Sequence, residues 1–226
     1  MTADPLFERN GFHHFLQVFD EAEIGRLRSV GAGDARPGVR LEAAALGQVA
    51  DLIGRDGKLG KLAATLLGRP AFAVRAIMFD KHVDANWSLD WHQDRTIAVA
   101  ARFDVPGFGN WTIKQGLSHV EPPQPVLEAM VTVRAHLDDV PANNAPLRVL
   151  AGSHRLGRLQ QDRIEELIPR SKIVECLAAS GDVWAYRTLI VHGSSAAEPN
   201  LGHRRVLQLD YASRPLPSPL RWVMAA

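Results

Sequence analysis

Cysteine is nearly absent: Cys176 stands alone among 226 residues. An internal disulfide is therefore excluded, and so is a zinc site built from several thiolates. Charge of one sign is missing as well. The 26 basic and 25 acidic residues leave a formal net charge of +1. They are interspersed, which gives neither a basic stripe for nucleic acid nor a charged tail. No apolar run approaches the roughly 20 residues of a membrane-spanning helix. The opening Met1-Thr2-Ala3-Asp4-Pro5 lacks the basic and apolar regions of a secretory signal. These absences lead to the expectation of a soluble, cytoplasmic protein with no nucleic-acid and no membrane partner, its oligomeric state open.

What is present is apolar bulk, 46% of the chain, enough for the core of one domain. That domain is expected over residues 1–226, as a helical part (1–70), a core (71–212) and a tail (213–226). Asp20 with Glu23 reads as a capping box that opens a helix. A second helical pattern runs over 41–67, broken near Gly54-Arg55-Asp56-Gly57, with Leu46, Val49 and Ile53 on one face. From Ala71 the pattern changes period. Strands are expected over 71–80, 96–103, 126–137, 147–150, 172–177, 182–186, 189–192 and 204–211, with one more helix over 160–167. Helices first and many short strands later predict an α+β chain with a mainly β core, a sandwich or jelly roll. The Pro- and Gly-rich stretch 104–125 reads as a long functional loop.

His92 and Asp94 lie two apart, which on a strand puts them on one face. His192, in Val191-His192-Gly193-Ser194, offers a third ligand. Two imidazoles and a carboxylate are the facial triad of an open iron(II) site. Asp90 is equally spaced from His92, so spacing leaves the carboxylate open, and zinc competes for the same donors. Arg204 begins an apolar strand. A guanidinium buried there needs an anion, and a carboxylate can accept two parallel hydrogen bonds from it. Ser194 can add a hydroxyl. Arg205 competes, and alternation turns at most one of the two inward.

Together, Trp91-His92-Gln93-Asp94, Ala151-Gly152-Ser153-His154-Arg155-Leu156-Gly157 and Val191-His192-Gly193-Ser194 followed by Arg204 resemble the phytanoyl-CoA dioxygenase family, over roughly residues 71–212. The resemblance implies a double-stranded β-helix, the cupin-like jelly roll, with helices packed outside. It implies Fe(II) held by His92, Asp94 and His192, and 2-oxoglutarate held by Arg204 with Ser194, Gln93 and Thr132 near it. With O2, such an enzyme hydroxylates a small or medium organic molecule and releases succinate and CO2. Intact Asp94 fits hydroxylation, since related halogenases carry a small residue there. The chain departs from the family in two turns. Asn143-Asn144-Ala145-Pro146 stands where Asn-Gly usually precedes Pro, and Ala151 stands where Pro usually precedes Gly-Ser-His.

Candidate substrate contacts are Trp87 and Arg95 beside the metal motif, and Trp111, Lys114 and His119 in the stretch 104–125. The charges are too dispersed to predict a groove for a CoA thioester. Two other readings compete. One is a metal-binding cupin-like jelly roll that does not use 2-oxoglutarate. The other is a zinc hydrolase, which would need a further general base. His154 is expected to serve its turn, His136 to pack in the core, and His13, His14, His82 and His203 to lie at the surface.

Overall fold

Two long strands decide the layering. In Met130–His136 the apolar Val131, Val133 and Ala135 alternate with Thr132, Arg134 and His136, and all seven are buried. In Arg204–Ala212, Leu207 and Leu209 alternate with Gln208 and Asp210, again buried. Both faces of this sheet are therefore covered, but only one is apolar.

The computed structural model describes residues 4–31, 38–199 and 202–224. In chain order the strands are β1 (Phe12–Phe15), β2 (Gly38–Arg40), β3 (Phe72–Lys81), β4 (Leu89–His92), β5 (Ile97–Val99), β6 (Gly109–Lys114), β7 (Leu117–Glu121), β8 (Met130–His136), β9 (Leu147–Leu150), β10 (Ile173–Cys176), β11 (Val183–Arg187), β12 (His192–Ser194) and β13 (Arg204–Ala212). They form a six-stranded sheet, β1-β11-β8-β13-β3-β2, a four-stranded sheet, β10-β9-β12-β4, and a three-stranded sheet, β5-β7-β6. All their pairings are antiparallel. The jelly-roll expectation holds.

The apolar face of the six-stranded sheet packs on the N-terminal helices. Val133, Ala135, Leu207 and Leu209 share one cluster with Ile24 and Leu27 of helix Glu21–Ser29 and with Leu59, Ala63 and Leu66 of helix Lys58–Leu67. The capping box forms: Glu23 N donates to Asp20 Oδ1 (2.9 Å), and Asp20 N donates to Glu23 Oε2 (3.0 Å). Helix Gln161–Leu167 matches its expected place. No described helix is long and apolar enough to cross a membrane.

Four expectations are corrected. The first seventy residues are not all helical, because β1 and β2 extend the large sheet at its two edges; strands of three or four residues carry too little alternation to be read from sequence. The stretch 104–125 is not one long loop but holds the β6–β7 hairpin, closed by Gln115 and Gly116 in left-handed backbone at φ of 50° and 80°. The strand expected from Val126 begins only at Met130, since Pro125 starts a short helix over Gln124–Glu128. The strand expected over 189–192 begins at His192 and runs to Ser194.

Candidate metal centre

Strands β4 and β12 pair with His92 directly opposite His192. Their ring centroids lie 4.3 Å apart. Each ring is fixed by the carbonyl two residues before it: His92 Nδ1 is 2.7 Å from Asp90 O, and His192 Nδ1 is 3.0 Å from Ile190 O. A carbonyl only accepts, so each Nδ1 carries the proton and each Nε2 keeps a lone pair for a metal. Asp94 completes the group: one donor atom from each of the three lies within 4.8 Å of the others. Asp90 contributes its backbone carbonyl to orient His92.

Electrostatics keep His192 and Asp94 in ligand form. Burial, partly opposed by Asp94 and reinforced by His92, pushes His192 down to about 4; its imidazole is neutral at physiological pH. Burial alone would raise Asp94, but Arg75, then His192 and His92, outweigh it and hold the carboxyl below the usual carboxylate range. The Arg75 Nη2 lies 3.7 Å from Asp94 Oδ2. Arg75 is itself held by Asp210 (Nε to Oδ2, 2.6 Å).

Gly193 sets the closeness of β4 and β12. A Cβ on it would sit 2.9 Å from Leu89 O and 3.3 Å from Trp91 N. Both are backbone atoms of the strand that carries His92, so they cannot swing away. Gly193→Ala should destabilise the metal-free protein by about 1–3 kcal/mol, the usual cost of overpacking. It should also weaken metal binding by spreading the two histidines. Thermal melting with and without added iron(II) measures both effects; an unchanged melting temperature would count against this packing argument.

Beside the histidines lies a second group of buried charges. Arg204 is 3% exposed and points inward; its Nη1 donates to Ala145 O (3.0 Å), while its Nε has no partner. Arg205 faces outward in a two-pronged pair with Asp138 (2.8 and 2.7 Å). Lys81, 1% exposed, stands opposite Arg204 and donates to Trp87 O, Ser195 O and Ser194 Oγ. Arg134 donates to Gln208 Oε1 and leaves its Nε unpartnered. Among the described residues none of Lys81, Arg134 and Arg204 has an ion-pair partner. Burial, then Arg134, push Arg204 down to about 9, with Asp80 opposing. Burial, then Arg204 and Arg134, push Lys81 to about 7. Both ring nitrogens of His136 and the Oδ1 of Asn144 are also buried without partners.

The other candidates sit as follows. Gln93 faces away from the triad: its Nε2 donates to Gly157 O and Leu189 O, and its Oε1 accepts from Leu159 N. Gln93 follows the end of β4 and pins two loops rather than lying beside the histidines. The Thr132 hydroxyl donates to Asp210 Oδ1 (3.0 Å), within the network that holds Arg75. Arg95 is paired with Glu121. Trp111 packs on a satellite core with Arg102 over its ring. Trp87 lies under the Lys81 ammonium, 4.8 Å from ring centre to Nζ. His154 Nε2 contacts Glu8 O, which ties its turn to the first helix, Pro5–Asn10, rather than closing the turn itself. His203 lies at the surface as expected and meets Asp80, while His13 and His14 are half-buried against Asp4 and Asp182. His136 is buried in the core as expected, whereas Lys81, Arg134 and Arg75 were missed by sequence reasoning. Arg134 is signalled only by the polar residues at every second position of β8; Arg75 and Lys81 are charged residues in the largely apolar β3.

The sequence profile of the phytanoyl-CoA dioxygenase family matches residues 7–203. No curated protein is similar enough to match. Among solved structures, EctD from S. alaskensis with bound Fe is 21% identical, with a TM-score of 0.68 over 95% of this chain and 77% of that one. The epimerase SnoN, in complex with Fe3+, alpha ketoglutarate and nogalamycin RO, is 19% identical, with a TM-score of 0.65 over 95% of this chain and 88% of that one. HygX from Streptomyces hygroscopicus with iron bound is 20% identical, with a TM-score of 0.63 over 93% of this chain and 88% of that one. At these identities the likeness establishes the fold, and the profile match over most of the sequence establishes the kinship: the chain belongs to the phytanoyl-CoA dioxygenase family, whose members are iron- and 2-oxoglutarate-dependent oxygenases.

Proposed function

We propose that the protein is an Fe(II)- and 2-oxoglutarate-dependent dioxygenase that hydroxylates a small or medium organic molecule. The observation that carries this reading is the inward Arg204, buried beside Lys81 and Arg134 with no carboxylate partner. Buried unpaired charge is costly and persists where a ligand supplies the missing partner. A jelly roll that only held a metal would have no use for three such cations.

The residues fit both groups. His92, Asp94 and His192 offer two imidazole nitrogens and a carboxylate oxygen, which suits iron(II) with positions left open. Arg204 Nε is free to bond the distal carboxylate of 2-oxoglutarate, and Ser194 can add its hydroxyl. When bound, the iron–cosubstrate pair activates O2 and supplies the oxidising chemistry, with succinate and CO2 as by-products. The chain's own work is different. Asp90 O and Ile190 O hold the two imidazoles in one tautomer. Arg75 keeps Asp94 ionised and aimed. Lys81 orients the Ser194 hydroxyl. The apolar sheet face and its helices exclude water from behind the site.

The test is anaerobic addition of iron(II) and 2-oxoglutarate to the purified protein. A weak visible charge-transfer band is expected, together with a rise in melting temperature from 2-oxoglutarate. A protein that binds iron but shows neither effect would be a metal-binding jelly roll of another kind.

Lys81 gives a pH dependence. Near neutrality it is partly deprotonated, and a dianion bound beside it raises its proton affinity. Binding then takes up a proton above about pH 7, and affinity falls as pH rises through that value. Below about pH 6 the lysine is already charged and uptake ceases. Calorimetry in buffers of different ionisation enthalpy should show this uptake, and Lys81→Gln should abolish it.

A further inference from the structure

On the Asp94 side of the barrel lies charge that the mechanism above does not use. Arg40 on β2 stands opposite Ile77 of β3. Opposed residues share a face, as do residues two apart, so Arg40 projects on the side that carries Arg75. The tip of the β6–β7 hairpin is tied to this edge. Arg40 N donates to Gln115 Oε1 (3.0 Å), and Gln115 Nε2 donates to Gly38 O (2.7 Å). In that hairpin Lys114 stands opposite Leu117 and Thr112 opposite His119, which puts Lys114 and His119 on one face. Arg40, Lys114 and Arg75 feel one another's charge and that of Asp94. The four belong to one electrostatic neighbourhood.

Two of these cations are unspent. Arg75 is engaged by Asp210. Among the described residues neither Arg40 nor Lys114 has an ion-pair partner, and Arg40 Nε is buried with no acceptor. His119 is a second, independent sign. It is 0% exposed, its Nδ1 lies 3.0 Å from Leu117 O, and its Nε2 meets nothing. With the proton on Nδ1, that Nε2 is a buried acceptor awaiting a donor.

The cosubstrate does not account for this group. Arg40 is in register with Ile77, and Lys81, opposite Arg204, lies four residues further along β3. That is roughly 13 Å of strand, longer than a five-carbon dicarboxylate.

We propose that the substrate is an organic anion whose carboxylate, sulfate or phosphate group seats between Arg40 and Lys114, with a hydroxyl or amine hydrogen given to His119 Nε2. This rests on the oxygenase reading above. The anion would hold the molecule so that its carbon skeleton reaches the open side of the His92–Asp94–His192 centre. Lys114, still open to solvent, marks the entrance.

Benzoate and its neutral isostere benzamide test this on the anaerobic iron(II)–2-oxoglutarate holoprotein, with binding read by ligand-observed NMR. Benzoate should bind about tenfold more tightly, as one charge-assisted contact predicts. In Arg40→Met and in Lys114→Met the preference should fall towards one, while 2-oxoglutarate affinity and melting temperature stay at wild-type values. Equal binding of the two probes, binding of neither, or displacement of 2-oxoglutarate by benzoate would overturn the proposal. So would loss of 2-oxoglutarate binding in either variant. If iron-free protein prefers benzoate but the protein binds no 2-oxoglutarate, the oxygenase reading fails and the anion site stands.

Discussion

Arg204→Ala should weaken 2-oxoglutarate binding by about two to three orders of magnitude and leave iron(II) binding nearly unchanged. Truncating one partner of a buried charge pair costs about 3–5 kcal/mol, because the other charge is left without its partner. At about 1.4 kcal/mol per tenfold, this is a loss of roughly a hundredfold to a few thousandfold. Arg204 touches none of the three metal donors; its observed bond goes to Ala145 O. The folded protein should tolerate the change, since removing one of three mutually repelling cations relieves strain between Arg204, Arg134 and Lys81. The cosubstrate-free variant is therefore expected to melt at or slightly above the wild-type temperature. Parallel titrations with iron(II) and with 2-oxoglutarate check it. Equal loss of both would mean that Arg204 supports the metal centre instead. Arg205→Ala is the control: it breaks the pair with Asp138 on the outer face and should leave both iron(II) and 2-oxoglutarate binding unchanged.

The candidate metal donors were legible because they sit in short distinct strings, although β4 ends at His92 and Asp94 follows it outside the strand. The choice between Arg204 and Arg205 was not legible from spacing alone, since facing is set by the register of β13 against β3 and β8. The largest omission has a physical cause. A strand such as Met130–His136, apolar at every second position, ordinarily faces water with its polar side. Here the helices cover the apolar side, and the polar side turns into the barrel, so Arg134 is interior beside Thr132 and His136 without any change in pattern. The β6–β7 hairpin was hidden for a local reason: its turn is Gln115-Gly116, whereas two-residue hairpin turns are most readily recognised from Asn-Gly or Asp-Gly. Lys114 and His119 were singled out, but their common face follows only from that hairpin's register.

Asp94→Asn is the sharpest test of the centre, because it keeps the shape of the side chain and removes only its charge. Even the outer hydrogen-bond partners of metal ligands are worth about 10–100-fold in affinity, so loss of the anionic ligand itself should cost at least about a hundredfold in iron(II) affinity. The surroundings sharpen the effect. Arg75 Nη2 lies 3.7 Å from Asp94 Oδ2, and Lys114 adds its field. With the carboxylate neutralised, a divalent ion would meet two imidazoles and an excess of positive charge. Succinate formation at stoichiometric iron should fall below detection, and the charge-transfer band should be lost. Fold is expected to persist, since Arg75 keeps its 2.6 Å bond to Asp210 and β4 keeps its pairing with β12. Circular dichroism and thermal melting of the metal-free variant would confirm this. Retention of iron at wild-type affinity would move the carboxylate ligand elsewhere, and Asp90 would then be the first place to look, because it lies two residues from His92 on the other side.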